Sequence, residues 1–264
     1  MSALSSWRFC DHLGVISAPV HVWANHFVAA TRTPNMSRLG RGILVVGVLL
    51  GLGVVGTWII EDRGLDIACS KYFYSLGGGD EASGWIAGSF RPWSLLYRYG
   101  EIPGIALCGA ALVALGASWL GFAPQKWRRP CLVIILSIII GPGLLVNGVL
   151  KPWWGRPRPV DVVEFGGAME YRDLGSRSSC CGGKSFPCGH CAIGFSLSSA
   201  AAFTPCYPVI GFVGLATGLL YGSLLSAARL MQGGHFLTDI LWSFVIVYVV
   251  IAVLYYFVLP VPEE

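Results

Sequence analysis

Residues 185–228 read SFPCGHCAIGFSLSSAAAFTPCYPVIGFVGLATGLLYGSLLSAA, 44 positions without a single Asp, Glu, Lys or Arg. A helix crosses the ~30 Å hydrocarbon core with roughly 20 apolar residues, so this run is about twice one span. Pro205 and Pro208 divide it near its middle, where a tight turn between two helices is expected. Working outward, four more charge-free runs occupy 42–60, 102–125, 130–150 and 240–262. The reading is an all-α, polytopic membrane protein built as a six-helix bundle, with spans near 42–60, 103–123, 131–150, 189–205, 208–228 and 238–259. Composition agrees. Only 12% of the 264 residues are charged, about half the usual share for a chain whose surface faces water. A soluble globule, a disordered chain and a nucleic-acid binder are excluded on that ground.

Orientation follows from Lys and Arg near the helix ends. Arg32, Arg38 and Arg41 precede the first span, and Lys126, Arg128 and Arg129 connect the second to the third. Both groups belong in the cytoplasm, and an even helix count brings both termini there. Loops 61–101, 151–188 and 229–237 then face outward. Loop 151–188 is itself rich in Lys and Arg, and an anionic ligand would explain that excess. Residues 1–41 read as a cytoplasmic or interfacial tail preceding a 42–262 membrane domain. Met36, followed by SRLGRG and an apolar run, is a second candidate start. His12, His21 and His26 in the tail read as solvated or headgroup-facing.

Small residues spaced by four let membrane helices approach closely. Gly214, Gly218 and Gly222, and likewise Gly47 and Gly51, are expected to pack. Trp85, Trp93, Tyr97 and Tyr99 suit an interfacial aromatic belt, with a headgroup route as the alternative. Cys188-x-x-Cys191 has the spacing of a zinc or redox pair. The adjacent Cys180 and Cys181 are poorly placed to complete four metal ligands, so disulfides on the outward side, or free thiols, fit better. GGKS at 182–185 ends like a phosphate-binding loop, but the first glycine of that pattern would fall on Ser178, so the match fails.

Ionisable residues at membrane helix ends are expensive unless they act. Lys151 ends the third span, with Arg158 just beyond. Pro187-Cys188-Gly189-His190 opens the fourth. Arg229 ends the fifth, and His235 and Asp239 open the sixth, four residues apart on one expected helical face. Helix parity puts all of these at one membrane face. Three cations, two histidines and one carboxylate in a single layer suit a doubly charged anion, because guanidinium forks match phosphate oxygens. The start of the fourth helix adds backbone N–H groups, and Gly189 lets that backbone come close.

Lys151-x6-Arg158-Pro159, Pro187-Cys-Gly-His190 and Arg229-x5-His235-x3-Asp239 resemble the three-part signature of the type 2 phosphatidic acid phosphatase (PAP2) family, KxxxxxxRP, PSGH and SRxxxxxHxxxD. Two positions depart from it: Cys188 stands where the family has Ser, and Ala228 where it has the Ser before Arg229. The resemblance implies a metal-independent phosphatase, without cofactor, acting on a membrane lipid phosphate. It implies His235 as nucleophile forming a phosphohistidine, Asp239 as its orienting acceptor and His190 as acid and then base. Lys151, Arg158 and Arg229 would hold phosphate oxygens, with Cys188 as a weak donor and Gly189 at the loop. The stretches KPWWGRPRPVDVVEFGG and GGKSFPCGH resemble bacterial lipid A phosphatases most. Undecaprenyl diphosphate and phosphatidylglycerophosphate are the other substrates the family implies, and the bacterial inner membrane, with the site toward the periplasm, is the implied location. A phosphotransferase on the same site and, from another class, an anion transporter are the alternatives.

Overall fold

The computed structural model describes residues 36–77, 84–85, 91–176 and 182–260. The tail histidines, Cys180 and Cys181 lie outside these residues. The first helix, α1 (Arg38–Asp62), starts where the Ser37 hydroxyl accepts the Gly40 N–H at 3.1 Å. Two short helices follow, α2 (Leu65–Ser75) and α3 (Trp93–Tyr99), in the stretch expected as an outer loop. Next come α4 (Ile102–Trp119) and α5 (Arg128–Ile138). The latter continues as a π-helix over Ile139–Leu150 and a last α-turn, Lys151–Trp154. Then come α6 (Gly189–Ser196), α7 (Pro208–Met231) and α8 (Leu237–Val253), α8 running on as a π-turn to Val258.

Five of these stretches are long and apolar enough to cross a membrane. The remaining expected span, the fourth at 189–205, differs from a simple helix. Eight α-residues of α6 pass into a 3-10 segment, Leu197–Phe203. The tighter winding rises more per residue, so these residues still cover roughly 26 Å. The segment is buried, which removes the need for an apolar face toward lipid. The chain turns at Thr204–Tyr207, and Pro208 opens α7, a position where its missing N–H costs nothing.

Packing between helices in lipid gains little from the hydrophobic effect and depends on close approach. The stripe on α7 provides that approach. A Cβ on Gly218 would stand 2.2 Å from Ser198, and one on Gly222 2.2 Å from Phe195. On α1 the expected stripe is the wrong one. Among the described residues, Gly47 and Gly51 meet nothing within 4 Å, whereas Gly53 and Gly56 lie against Val245, Trp242 and Leu241 of α8. Trp242 also donates to the Thr57 hydroxyl at 2.8 Å, which closes the α1–α8 seam. Spacing by four marks helix faces without saying which face has a neighbour.

Within α5, Pro142 lacks an N–H and would clash with the carbonyl one turn back. The wider π-turns absorb it, and the Asn147 side-chain amide donates to the Pro142 carbonyl at 2.8 Å. The helix stops at Gly155, whose φ of 73° suits a residue without Cβ and sends the chain back over the bundle. Arg38 donates to the Tyr255 carbonyl at 2.5 Å and Arg129 to that of Pro260. The starts of α1 and α5 and the end of α8 therefore share one face, while Lys151, His190, Arg229 and Asp239 come together at the other.

Candidate active site

The floor of the site is the start of α8. Its first turn leaves N–H groups without helical partners, and Asp239 reaches back to accept that of Phe236 at 2.9 Å. This cap fixes the carboxylate against the turn carrying His235. His235 precedes α8 rather than sharing a helical face with Asp239, and the cap produces the proximity. His235 Nδ1 lies 3.6 Å from Asp239 Oδ2, with both side chains sealed from solvent. Burial pushes the His235 imidazole down to about 4, the Arg229 and Lys151 charges adding to the effect and Asp239 opposing it. The ring is neutral at pH 7 and keeps a lone pair.

A buried charge network holds Asp239. The Arg156 guanidinium donates to Asp239 Oδ1 at 2.6 Å and to Asp66 Oδ2 at 2.8 Å. Ser185 donates to the other Asp239 oxygen at 2.5 Å. Asp66, on α2, accepts from the Thr238 N–H at 3.0 Å and its hydroxyl at 2.6 Å. One arginine between two carboxylates leaves one negative charge in excess, and the neutral donors Thr238 and Ser185 help carry it, so that no buried ion lacks a partner at this depth.

Above that layer the cations are differently placed. Among the described residues, Lys151, Arg158 and Arg229 form no ion pair with a carboxylate. Lys151 Nζ is 3.4 Å from Asn147 Oδ1 and feels the charges of Arg158, Arg229, Glu101 and Asp239. Arg229 donates to Gln232 Oε1 at 2.6 Å and lies 4.8 Å from the centre of the Tyr97 ring. The Nε atoms of Arg158 and Arg229 are buried without a hydrogen-bond partner among the described residues. Glycine is required nearby: a Cβ on Gly234 would lie 2.2 Å from Arg229, and one on Gly189 2.7 Å from Asn147 and 3.3 Å from Lys151. His190 stacks on Tyr97, with 5.3 Å between ring centres, and also feels Arg229 and Lys151. Lys151, Arg158, His190, Arg229, His235 and Asp239 thus form one cluster.

Residues 127–261 of the chain match the PAP2 superfamily. The chain belongs to that family. Relatives named "Lipid A 4'-phosphatase" are similar to this PAP2 protein. That of Francisella tularensis subsp. novicida is 32% identical over 223 residues, covering 79% of this chain and 94% of the relative. That of Rhizobium leguminosarum is 36% identical over 140 residues, covering 53% and 58%. That of Rhizobium etli is 29% identical over 191 residues, covering 67% and 72%. No solved structure matches.

One expected donor of this PAP2 site is corrected. Cys188 is bonded to Cys191 and fully buried, so it has no thiol proton to give a phosphate. Its own N–H is spent on the Ser243 hydroxyl at 2.8 Å. Cys69, Cys108 and Cys131 are free thiols. Several contributors were not anticipated. Ser185, in the discarded GGKS stretch, binds Asp239 rather than a phosphate. Tyr97, expected in an aromatic belt, lies between His190 and Arg229, while Trp85 packs on Tyr74 and Phe165. A lone acid in an apolar stretch, as Asp66 is in LDIAC, was the signal available for the buried network.

Proposed function

We propose that this multi-pass membrane protein is a lipid phosphatase that removes a phosphate monoester from lipid A, the 4′-phosphate above all, through a phosphohistidine on His235. The neutral ring nitrogen of His235 attacks phosphorus, and the sugar oxygen leaves with a proton from His190. Water, giving its proton to His190, then attacks the phosphorus and releases inorganic phosphate and free His235. Lys151, Arg158 and Arg229 stabilise the non-bridging oxygens, where charge spreads in the transition state. Asp239 offsets the positive charge that His235 acquires on phosphorylation. The observation that carries this reading is the contrast of partners: among the described residues three cations have no carboxylate partner, and in the same cluster stands a histidine that burial keeps uncharged.

The names of the relatives support the substrate. The cationic opposite face, with Arg38, Arg41, Lys126, Arg128 and Arg129, supports a bacterial inner-membrane protein with that face in the cytoplasm and the site toward the periplasm. The test is phosphate release by purified protein from lipid A, undecaprenyl diphosphate, phosphatidylglycerophosphate and phosphatidic acid. Release from lipid A that disappears in His235→Ala is expected. Full activity in that variant would overturn the mechanism, and release from another lipid alone would overturn the substrate.

A further inference from the structure

The residues that hold His190 lie outside the matched segment, on α3 and at the start of α4. His190 Nε2 is 2.9 Å from the Tyr97 carbonyl oxygen, which can only accept, so that nitrogen carries its hydrogen there. Nδ1 is the ring nitrogen left for proton transfer, and Glu101 Oε1 stands 3.7 Å from it. Glu101 is the cap residue just before α4, a position from which a side-chain oxygen can accept the helix's free N–H groups. It makes no such capping bond. Its side chain is 49% exposed, so its charge is inexpensive to keep, and His190 at 19% is the more open of the two histidines. The other charges acting on His190 are Arg229 and Lys151, both positive and both opposed to an imidazolium. Without a carboxylate at Glu101, the histidine that must donate a proton would face two cations alone.

We propose that Glu101 and Tyr97 are positioning residues for His190: the Tyr97 carbonyl ties down Nε2, and the Glu101 carboxylate stabilises a proton on Nδ1, the nitrogen facing the leaving oxygen. The proposal rests on the phosphatase reading for its consequence and on the geometry for its content. At 3.7 Å the carboxylate acts through its charge, without a direct hydrogen bond, and leaves room beside Nδ1 for a substrate oxygen or a water.

The test is a pH titration of the purified full chain with ring-labelled histidines, followed by NMR, the His190 signal being assigned by its loss in His190→Gln. Glu101→Gln should lower the His190 midpoint by about one pH unit, the lower end for an opposite charge at this distance. Glu101→Asp, which withdraws the carboxylate, should lower it less. The alkaline limb of kcat on lipid A should move the same way. An unmoved midpoint in either variant overturns the proposal, and Glu101→Asp carries the measurement if Glu101→Gln does not fold. A wild-type protein releasing no phosphate from any lipid would sink the phosphatase reading instead, while the NMR midpoint would still decide the role of Glu101.

Discussion

The two histidines feel the same cations, Arg229 and Lys151, from opposite surroundings. His235 is 1% exposed, backed by Asp239 and a buried Arg156–Asp66 pair. His190 sits toward the open side between a backbone carbonyl and a half-exposed carboxylate. The difference matches what each would do. A nucleophile needs a lone pair and a fixed direction, and burial supplies both at the cost of proton exchange. A group that gives up and regains a proton each turnover needs contact with water, and tolerates a looser partner. In the proposed mechanism, burial divides the roles of two identical side chains.

The largest expected effect tests the sealed side. His235→Ala should lower kcat on lipid A by on the order of 10⁴-fold or more, as nucleophile removal does elsewhere, measured as phosphate release; a smaller loss would mean the buried ring is structural. Next come the cations of the cluster. Arg158→Ala and Arg229→Ala should each lose on the order of 10²-fold in rate. Arg158→Ala, which breaks no ion pair among the described residues, should leave the thermal midpoint in detergent nearly unchanged.

Arg156, two residues earlier, should behave in the opposite sense. Arg156→Met leaves Asp66 and Asp239 buried without their shared partner, which costs about 3–5 kcal/mol. Its signature is a fall in the thermal midpoint, partly restored by adding Asp66→Asn. If Arg156→Met unfolds no earlier than wild type, the buried layer is not what holds the floor of the site.

The bundle and the six clustered residues were legible because both depend on local rules. Span length is set by the bilayer, and parity then assigns every helix end to a face. The supporting residues were not legible, because their partners are remote in sequence and their types are ordinary. Asp66 meets Thr238 across 172 positions and Arg156 across 90. Tyr97 and Glu101 meet His190 only because α3 and α4 fold over α6. Cys188 misled for the reverse reason: its chemistry was decided by Cys191, three residues away, which removed the thiol on which the donor expectation depended. Likewise, Gly47 and Gly51 carry a correct spacing on a face that has no neighbour among the described residues.

The smallest effect separates the histidines without any change of rate. With a folded value of about 4 against an ordinary value near 6.5, His235 binds its proton more readily in the unfolded chain. The stability it contributes is complete above the unfolded value and is lost as pH falls from there through about 4. Ring-nitrogen NMR of the native protein should show His235 still neutral at pH 5. Over the same range the thermal midpoint should decline with acid, and His235→Gln, which has no titrating ring, should decline less. A His235 signal that titrates near 6.5 in the folded protein would mean water reaches the ring, and the distinction between a sealed and an open histidine would fail.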